Sequence, residues 1–194
     1  MSQNPNVATI VAELIQLHAV KDSKYKDAWR KRGELIGIFC NIARKYDRLE
    51  VAQSETNPDK TEARADTAAD LCVYAIKYVT WLIENDPSAA GSIEGSDRDS
   101  WSAIHSRTAV IAALNQLADA HQAEPASLIE GFAAVASPFA KLEQILVNQE
   151  DRSAGEKAAL AWLLADGALG YLWRLATSEP ETWDRFAAYV ANAA

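Results

Sequence analysis

This chain predicts an all-α fold, on three observations. Apolar residues recur at three- and four-residue spacing in segment after segment, the period of a helix with one buried face. No run alternates apolar and polar residues as a half-buried strand would. The breaks between segments fall where Gly, Pro, Asn, Asp and Ser gather, and no long internal repeat is visible.

Asn4-Pro5 opens the first helix, with Val7, Ile10, Val11, Leu14, Ile15 and Leu17 as its stripe to about Val20. His18 falls near its end and reads as a helix-terminal or surface residue. Asp22 is expected to cap a short second helix, Ser23 to Arg32, which Gly33 stops. Tyr25 and Trp29 stand at i,i+4 on it, so both rings share a face. They read either as anchors to the core or as a stacking wall for a base. A third helix runs from Glu34 to about Ala52 on Leu35, Ile38, Phe39, Ile42, Tyr46 and Leu49. Asn41, Lys45 and Arg48 align on another of its faces, with Asp47 and Glu50 beside them. The polar stretch 53–60, which contains Asn57-Pro58, is a loop.

The fourth helix, Glu62 to Ile83, is the one the others are arranged around. Glu62, Asp66 and Asp70 stand four residues apart and line one face. They run into Leu71–Ile83, which is apolar almost all round and therefore buried on most sides. Carboxylates entering a buried helix need a cation, a metal or a ligand beside them. Asp86-Pro87 ends the helix. The Gly-, Ser- and Asp-rich stretch 88–100 then reads as a linker or lid, dividing the chain into 1–87, 88–100 and 101–194.

Beyond it, a fifth helix spans Trp101 to about Gln122. Pro125 marks the next start, and Leu128, Ile129, Phe132 and Val135 continue helically until Pro138, which is expected to kink or divide the segment before Phe139 to Leu146. Ser153 opens a helix through Leu160, Trp162, Leu163, Leu169, Leu172, Trp173 and Leu175, where Gly167 and Gly170 imply close packing against a neighbour. Asp166 is a lone acid there, expected to pair with Arg174 or Arg107. Ser178-Glu179-Pro180-Glu181 reads as a capping box opening a last helix to about Ala191.

Composition narrows the function. The chain has 194 residues, nearly half of them hydrophobic and six of them tryptophan, so it can bury a sizeable core. Its net charge of −8 argues against general binding to a nucleic-acid backbone. The two cysteines, Cys40 and Cys72, lie in apolar helical patterns and read as free and buried, which fits a reducing compartment. With no signal segment and no uncharged stretch of spanning length, the expectation is a soluble, cytoplasmic protein with no membrane partner. A glycine-rich phosphate loop, a nucleophile elbow and zinc-spaced cysteines are all absent. His105 and His121 stand about four turns apart, too far to be an i,i+4 metal pair.

What remains is the juxtaposition of the third and fourth helices, which a short loop should pack antiparallel. One presents Glu62, Asp66 and Asp70, the other Asn41, Lys45, Asp47 and Arg48. Carboxylate oxygens suit Mg²⁺, which keeps several waters and is completed by substrate phosphates. Lys45 and Arg48 would hold those phosphates, and Tyr25 and Trp29 would contact a base. The same charges read equally well as structural salt bridges between two amphipathic helices.

The blocks Lys24-Tyr25-Lys26-Asp27-Ala28-Trp29, Lys45-Tyr46-Asp47-Arg48-Leu49 and Asp66-Thr67-Ala68-Ala69-Asp70-Leu71-Cys72-Val73-Tyr74 occur in that order. Together they resemble the nucleotide modification associated domain 1 family of phage-type genomes, over about residues 20–85. That family is similar to the all-α nucleotide pyrophosphohydrolases of the MazG and dimeric dUTPase kind. The resemblance implies Mg²⁺-dependent handling of a nucleoside phosphate, with pyrophosphohydrolysis of a dNTP as the activity. Glu62, Asp66, Asp70 and Asp47 would then hold the metal. This chain departs from the pyrophosphohydrolase pattern of paired acidic motifs: it has only Asp47-x-x-Glu50 in the third helix and Thr67 before Asp70. The competing expectation is a non-enzymatic helical interaction module, motivated by the tryptophans and by a second half without evident chemistry. Assembly as a homo-oligomer is compatible with either.

Overall fold

Asn6 starts the first helix of the computed structural model, which describes residues 5–54, 62–93, 107–121 and 124–193. The side chains of Glu62, Ala63 and Arg107 lie outside that description, as do Trp101 and His105 and the greater part of the 88–100 stretch. Asn6 accepts from the Thr9 amide at 2.9 Å, capping α1 (Val7–Tyr25). Contrary to expectation, Asp22 opens no new helix; α1 runs through it to Tyr25. An Asp alone is a weak breaker, and the chain turns only at Lys26, where φ becomes +47°. His18 therefore sits well inside the helix and is buried, not terminal.

A tight 3₁₀ turn, Lys26–Arg30, follows, and Gly33 at φ +75° reverses the chain. Helical structure resumes as a π turn, Glu34–Phe39, which passes into α2 (Cys40–Gln53). Gly37 lets this turn close on the preceding one, since a Cβ there would lie 3.0 Å from the Trp29 carbonyl oxygen. Trp29 is thereby fixed against the start of α2.

The central helix, α3 (Glu62–Asn85), is buried on nearly every side from Ala65 to Ile83. It runs antiparallel to α2: Tyr78 donates to Glu34 at one end, and Lys45 reaches Asp70 nearer the other. Asp86 ends it by accepting from the Ser88 amide at 3.0 Å, and a short 3₁₀ turn, Pro87–Ser92, follows. The rest of the chain adds α4 (Arg107–Ala120), α5 (Leu128–Val147), α6 (Ala154–Ser178) and α7 (Pro180–Ala193). Ser153 and Glu156 form the capping box of α6. The sequence suggested Ser178 as the cap of α7, and it is not. It is the last residue of α6, its hydroxyl bonded to the Arg174 carbonyl at 2.7 Å, and Glu179 begins the turn into α7 instead.

Pro138 neither kinks α5 apart nor divides it; the helix is continuous from Leu128 to Val147. The reason lies in the packing of the next helix. Proline cannot donate to the carbonyl of Ala134, four residues back. It is against that stretch of backbone that α6 packs through Gly167, where a Cβ would lie 2.6 Å from the Ala134 oxygen. The missing hydrogen bond thus falls where two helices approach too closely for any side chain.

α3 and α6 share the most extensive packing, and α5 covers α6 from the other side. A single buried cluster draws residues from α1, α2 and α3 and from α4 to α7, so the C-terminal helices dock on the N-terminal ones. Phe139 lies within it between Tyr46 and Phe39, with centroids 3.8 and 5.9 Å away. The fold is all-α, with no strand among the described residues. Among them no helix is long and apolar enough to cross a membrane. Cys72 is buried in the core as expected, but Cys40, off the apolar stripe of α2, is exposed.

Candidate anion-binding site

Where α1 ends, it meets the start of α2 and the middle of α3, and the three enclose a cavity of about 440 Å³. Helical spacing selects its walls. Leu17, His18, Lys21 and Tyr25 recur along one face of α1, and Asp70, Val73, Tyr74 and Lys77 along one face of α3. Asn41, Arg44 and Lys45 come from the first turns of α2, while Lys26, Ala28 and Trp29 come from the 3₁₀ turn.

Asp70 is its buried anchor. One carboxylate oxygen accepts from Lys45 and the other from Lys21. Lys21 also lies 3.5 Å from Asp66, whose side chain is about one-third exposed. Burial works against the charge on Lys21, but the carboxylates of Asp70 and Asp66 outweigh it, so this ammonium holds its proton more tightly than an ordinary lysine.

Lys77 is different. It is only 6 % exposed, yet among the described residues no carboxylate lies within ion-pairing distance. Its ammonium sits 5.3 Å from the Trp29 ring centroid and 5.6 Å from that of Tyr74. Burial lowers its pKa from the ordinary 10.5, against the upward pull of Asp22, Asp70 and Asp27 at longer range. Cation–π contacts are worth about 2 kcal/mol when desolvated, less than the several kcal/mol that burying an ammonium costs. Trp29 also carries the Arg30 guanidinium, 5.6 Å from its centroid and bonded to Glu84 at 2.7 Å. Its ring is thus a seat for two cations.

The exposed Arg44 is oriented by a relay from the π turn. Asn41 donates to the Gly37 carbonyl at 2.6 Å and accepts from Arg44 at 3.2 Å. Among the described residues the lining therefore carries five cations, Lys21, Lys26, Arg44, Lys45 and Lys77, against a single carboxylate, Asp70. In a chain of net charge −8 this is a local reversal of sign.

Of the residues singled out from the sequence, the fold brings Tyr25, Trp29, Asn41, Lys45 and Asp70 into the cavity wall, with Asp66 next to Lys21. It does not bring Arg48 or Asp47 there. Both are exposed: Arg48 lies about 10 Å along the helix from Asn41, and Asp47 points about 160° around it from Lys45. Sequence reading gave no role to Lys21, Arg44 or Lys77 and quoted Tyr74 only as the end of a motif block, although Asp70, Tyr74 and Lys77 have the i, i+4, i+7 spacing of one face. Asp166 lies 2.6 Å from His121 Nδ1, while Arg174 turns to Glu124 at 3.3 Å; the side chain of Arg107, the other expected partner, lies outside the described residues.

A resident Mg²⁺ would need at least one or two carboxylates free to face it, its other positions going to waters and phosphates. Both Asp70 oxygens are taken by lysines, Asp66 is neighboured by one, and Asp47 faces away. Among the described residues, no group of three or more His, Cys, Asp or Glu side chains is gathered for a metal. Glu62, the fourth carboxylate expected at the metal, lies outside the described side chains; without it the described residues gather no ligand set for that ion.

Lys77→Met should leave the fold as stable as the wild type or more so at neutral pH, because it removes a buried charge of lowered pKa. The unfolded chain binds a proton that folded Lys77 gives up earlier, so wild-type stability gains from this site as pH rises towards 10.5. Chemical denaturation across pH 7 to 10 should show the difference between variant and wild type narrowing.

The chain is 30% identical to the Gene 30 protein of Bacillus phage SP01, over 43% of this chain and 47% of that protein. It thus spans about half the length of the curated relative it matches, and the similarity supports a phage-type relationship. No family model matches the chain. No solved structure matches it either.

Proposed function

We propose that the cavity binds a nucleoside phosphate. The observation that carries this reading is the excess of cations in a half-enclosed, aromatic-lined cavity of an acidic protein. Ammonium and guanidinium groups bind phosphate oxygens through charge-assisted hydrogen bonds. The cavity's size falls within the usual range for small-molecule sites, about 300–1,000 Å³. Tyr25, two-thirds exposed at the rim, offers a ring face to a base, and Tyr74 lies deeper on the α3 wall. Trp29 contributes chiefly by seating Lys77 and Arg30.

The resemblance of residues 20–85 to the nucleotide modification associated domain 1 family, carried by the three motif blocks, motivates this reading, and the phage-type relationship is compatible with it. Pyrophosphohydrolysis is the activity that the resemblance implies, and we place it second to binding. The described walls supply phosphate-holding groups, but their one carboxylate is already bonded to two lysines.

Calorimetric titration with the common ribo- and deoxyribonucleoside mono-, di- and triphosphates, with product chromatography, tests the reading. At least one nucleotide should bind at micromolar concentration. Its parent nucleoside should bind about tenfold or more weakly, the equivalent of roughly 1.4 kcal/mol. Absence of binding by every nucleotide at millimolar concentration would overturn it.

A further inference from the structure

Resting on the nucleotide reading, we infer that the ligand is a phosphomonoester, of the nucleoside monophosphate class, held directly by Lys77, Lys26 and Arg44 with no metal bridging it. The charge inventory carries this. Lys21 and Lys45 are engaged by Asp70, and Lys21 also neighbours Asp66, so two lysines are set against two carboxylates. Lys77, Lys26 and Arg44 remain on the cavity wall with no carboxylate in ion-pairing distance among the described residues.

A phosphomonoester carries about 1.5 to 2 negative charges at neutral pH and three acceptor oxygens, which these three cations can neutralise between them. Lys77 is buried and Lys26 and Arg44 are exposed, so the phosphate would enter past the outer two and end against the inner one. Mg²⁺ would gain little here. Asp70 and Asp66, the described carboxylates nearest the cavity, already face lysines, and the ion would add positive charge beside an uncompensated ammonium. The direct contact is therefore the favoured one.

The test is calorimetry on the whole chain with deoxynucleoside monophosphates, the matching nucleosides and the matching triphosphates, each in EDTA and in Mg²⁺. A monophosphate should bind in EDTA, with an affinity that Mg²⁺ changes by no more than about twofold. Lys77→Met and Arg44→Gln should each weaken it by roughly tenfold or more. Unfolding curves of both variants should match or exceed the wild type, which separates a lost contact from a lost fold.

Triphosphates binding only with Mg²⁺, while monophosphates fail, would overturn this inference and leave the nucleotide reading standing. So would unimpaired monophosphate binding by Lys77→Met. Failure of every nucleotide in both buffers would overturn the two together.

Discussion

Replacing Asp70 with Asn is expected to destabilise the protein by about 3–5 kcal/mol, the usual cost of removing one partner from a buried ion pair. Each carboxylate oxygen accepts from a different lysine, and the Lys45 side chain is only 9% exposed. Asparagine keeps the shape but offers one weaker acceptor and no charge, so Lys45 is left buried without compensation. Lys21 is nearly one-third exposed and loses less, because water and Asp66 can partly replace Asp70. For a chain of this size the loss corresponds to a fall in melting temperature of roughly 6–20 °C.

Asp66→Asn, by contrast, should move stability by about 1 kcal/mol or less, since its contact is longer and partly solvated. Adding Lys45→Met to Asp70→Asn should recover part of the loss, because the stranded charge goes too. Urea denaturation of the four proteins measures this. A loss below about 1 kcal/mol for Asp70→Asn would show that water already solvates both lysines.

The second large effect is expected at Phe139. Its ring is 3% exposed and stacks against Tyr46 and Phe39. Tyr46 also stacks on Phe132 at 5.8 Å, so four rings tie α5 to α2 and the turn before it. Phe139→Ala should cost about 3–5 kcal/mol, from lost transfer energy together with the cavity left behind. The hole would open beneath α2, the helix that carries Lys45, Arg44 and Asn41 into the site. Phe139→Leu, which keeps most of the volume, should cost about 1.5 kcal/mol or less. Equal losses for the two would mean the site collapses around either side chain.

The fold was largely legible because its punctuation is local. Gly33, Asp86-Pro87 and Ser153 fix chain reversals or helix ends through backbone preferences that need no distant partner. The antiparallel pairing of α2 with α3 followed from two apolar stripes and a short loop. The continuity of α5 through Pro138 was not legible, because it depends on where Gly167 lies in space. Nor was the partner of Asp166: several side chains of suitable chemistry exist, and which one arrives is settled by the packing of α4 against the other helices.

In the site, Lys45 and Asp70 could be picked out as opposite charges on facing helices. Their meaning could not, since the residues that reverse the local sign come from elsewhere. Lys21 belongs to α1, which no spacing rule connects to α3. Lys77 sits in a run that reads as core, where a lone lysine gives no hint that aromatic rings will seat it.

That seat has a kinetic consequence. An aromatic ring attracts a cation without cancelling its charge, so the field of Lys77 persists at the cavity mouth in a way that a carboxylate partner would have prevented. Outside the cavity the molecule is net negative. A long polyanion is repelled along most of its length, whereas a small anion within a Debye length of the mouth, about 8 Å at physiological ionic strength, is drawn inward. Capture by such a field is fast at low salt and slows as salt is raised, while escape depends on contacts already made and changes less. The cavity would then select against nucleic acid by size and charge before any base is read, through its rate of entry.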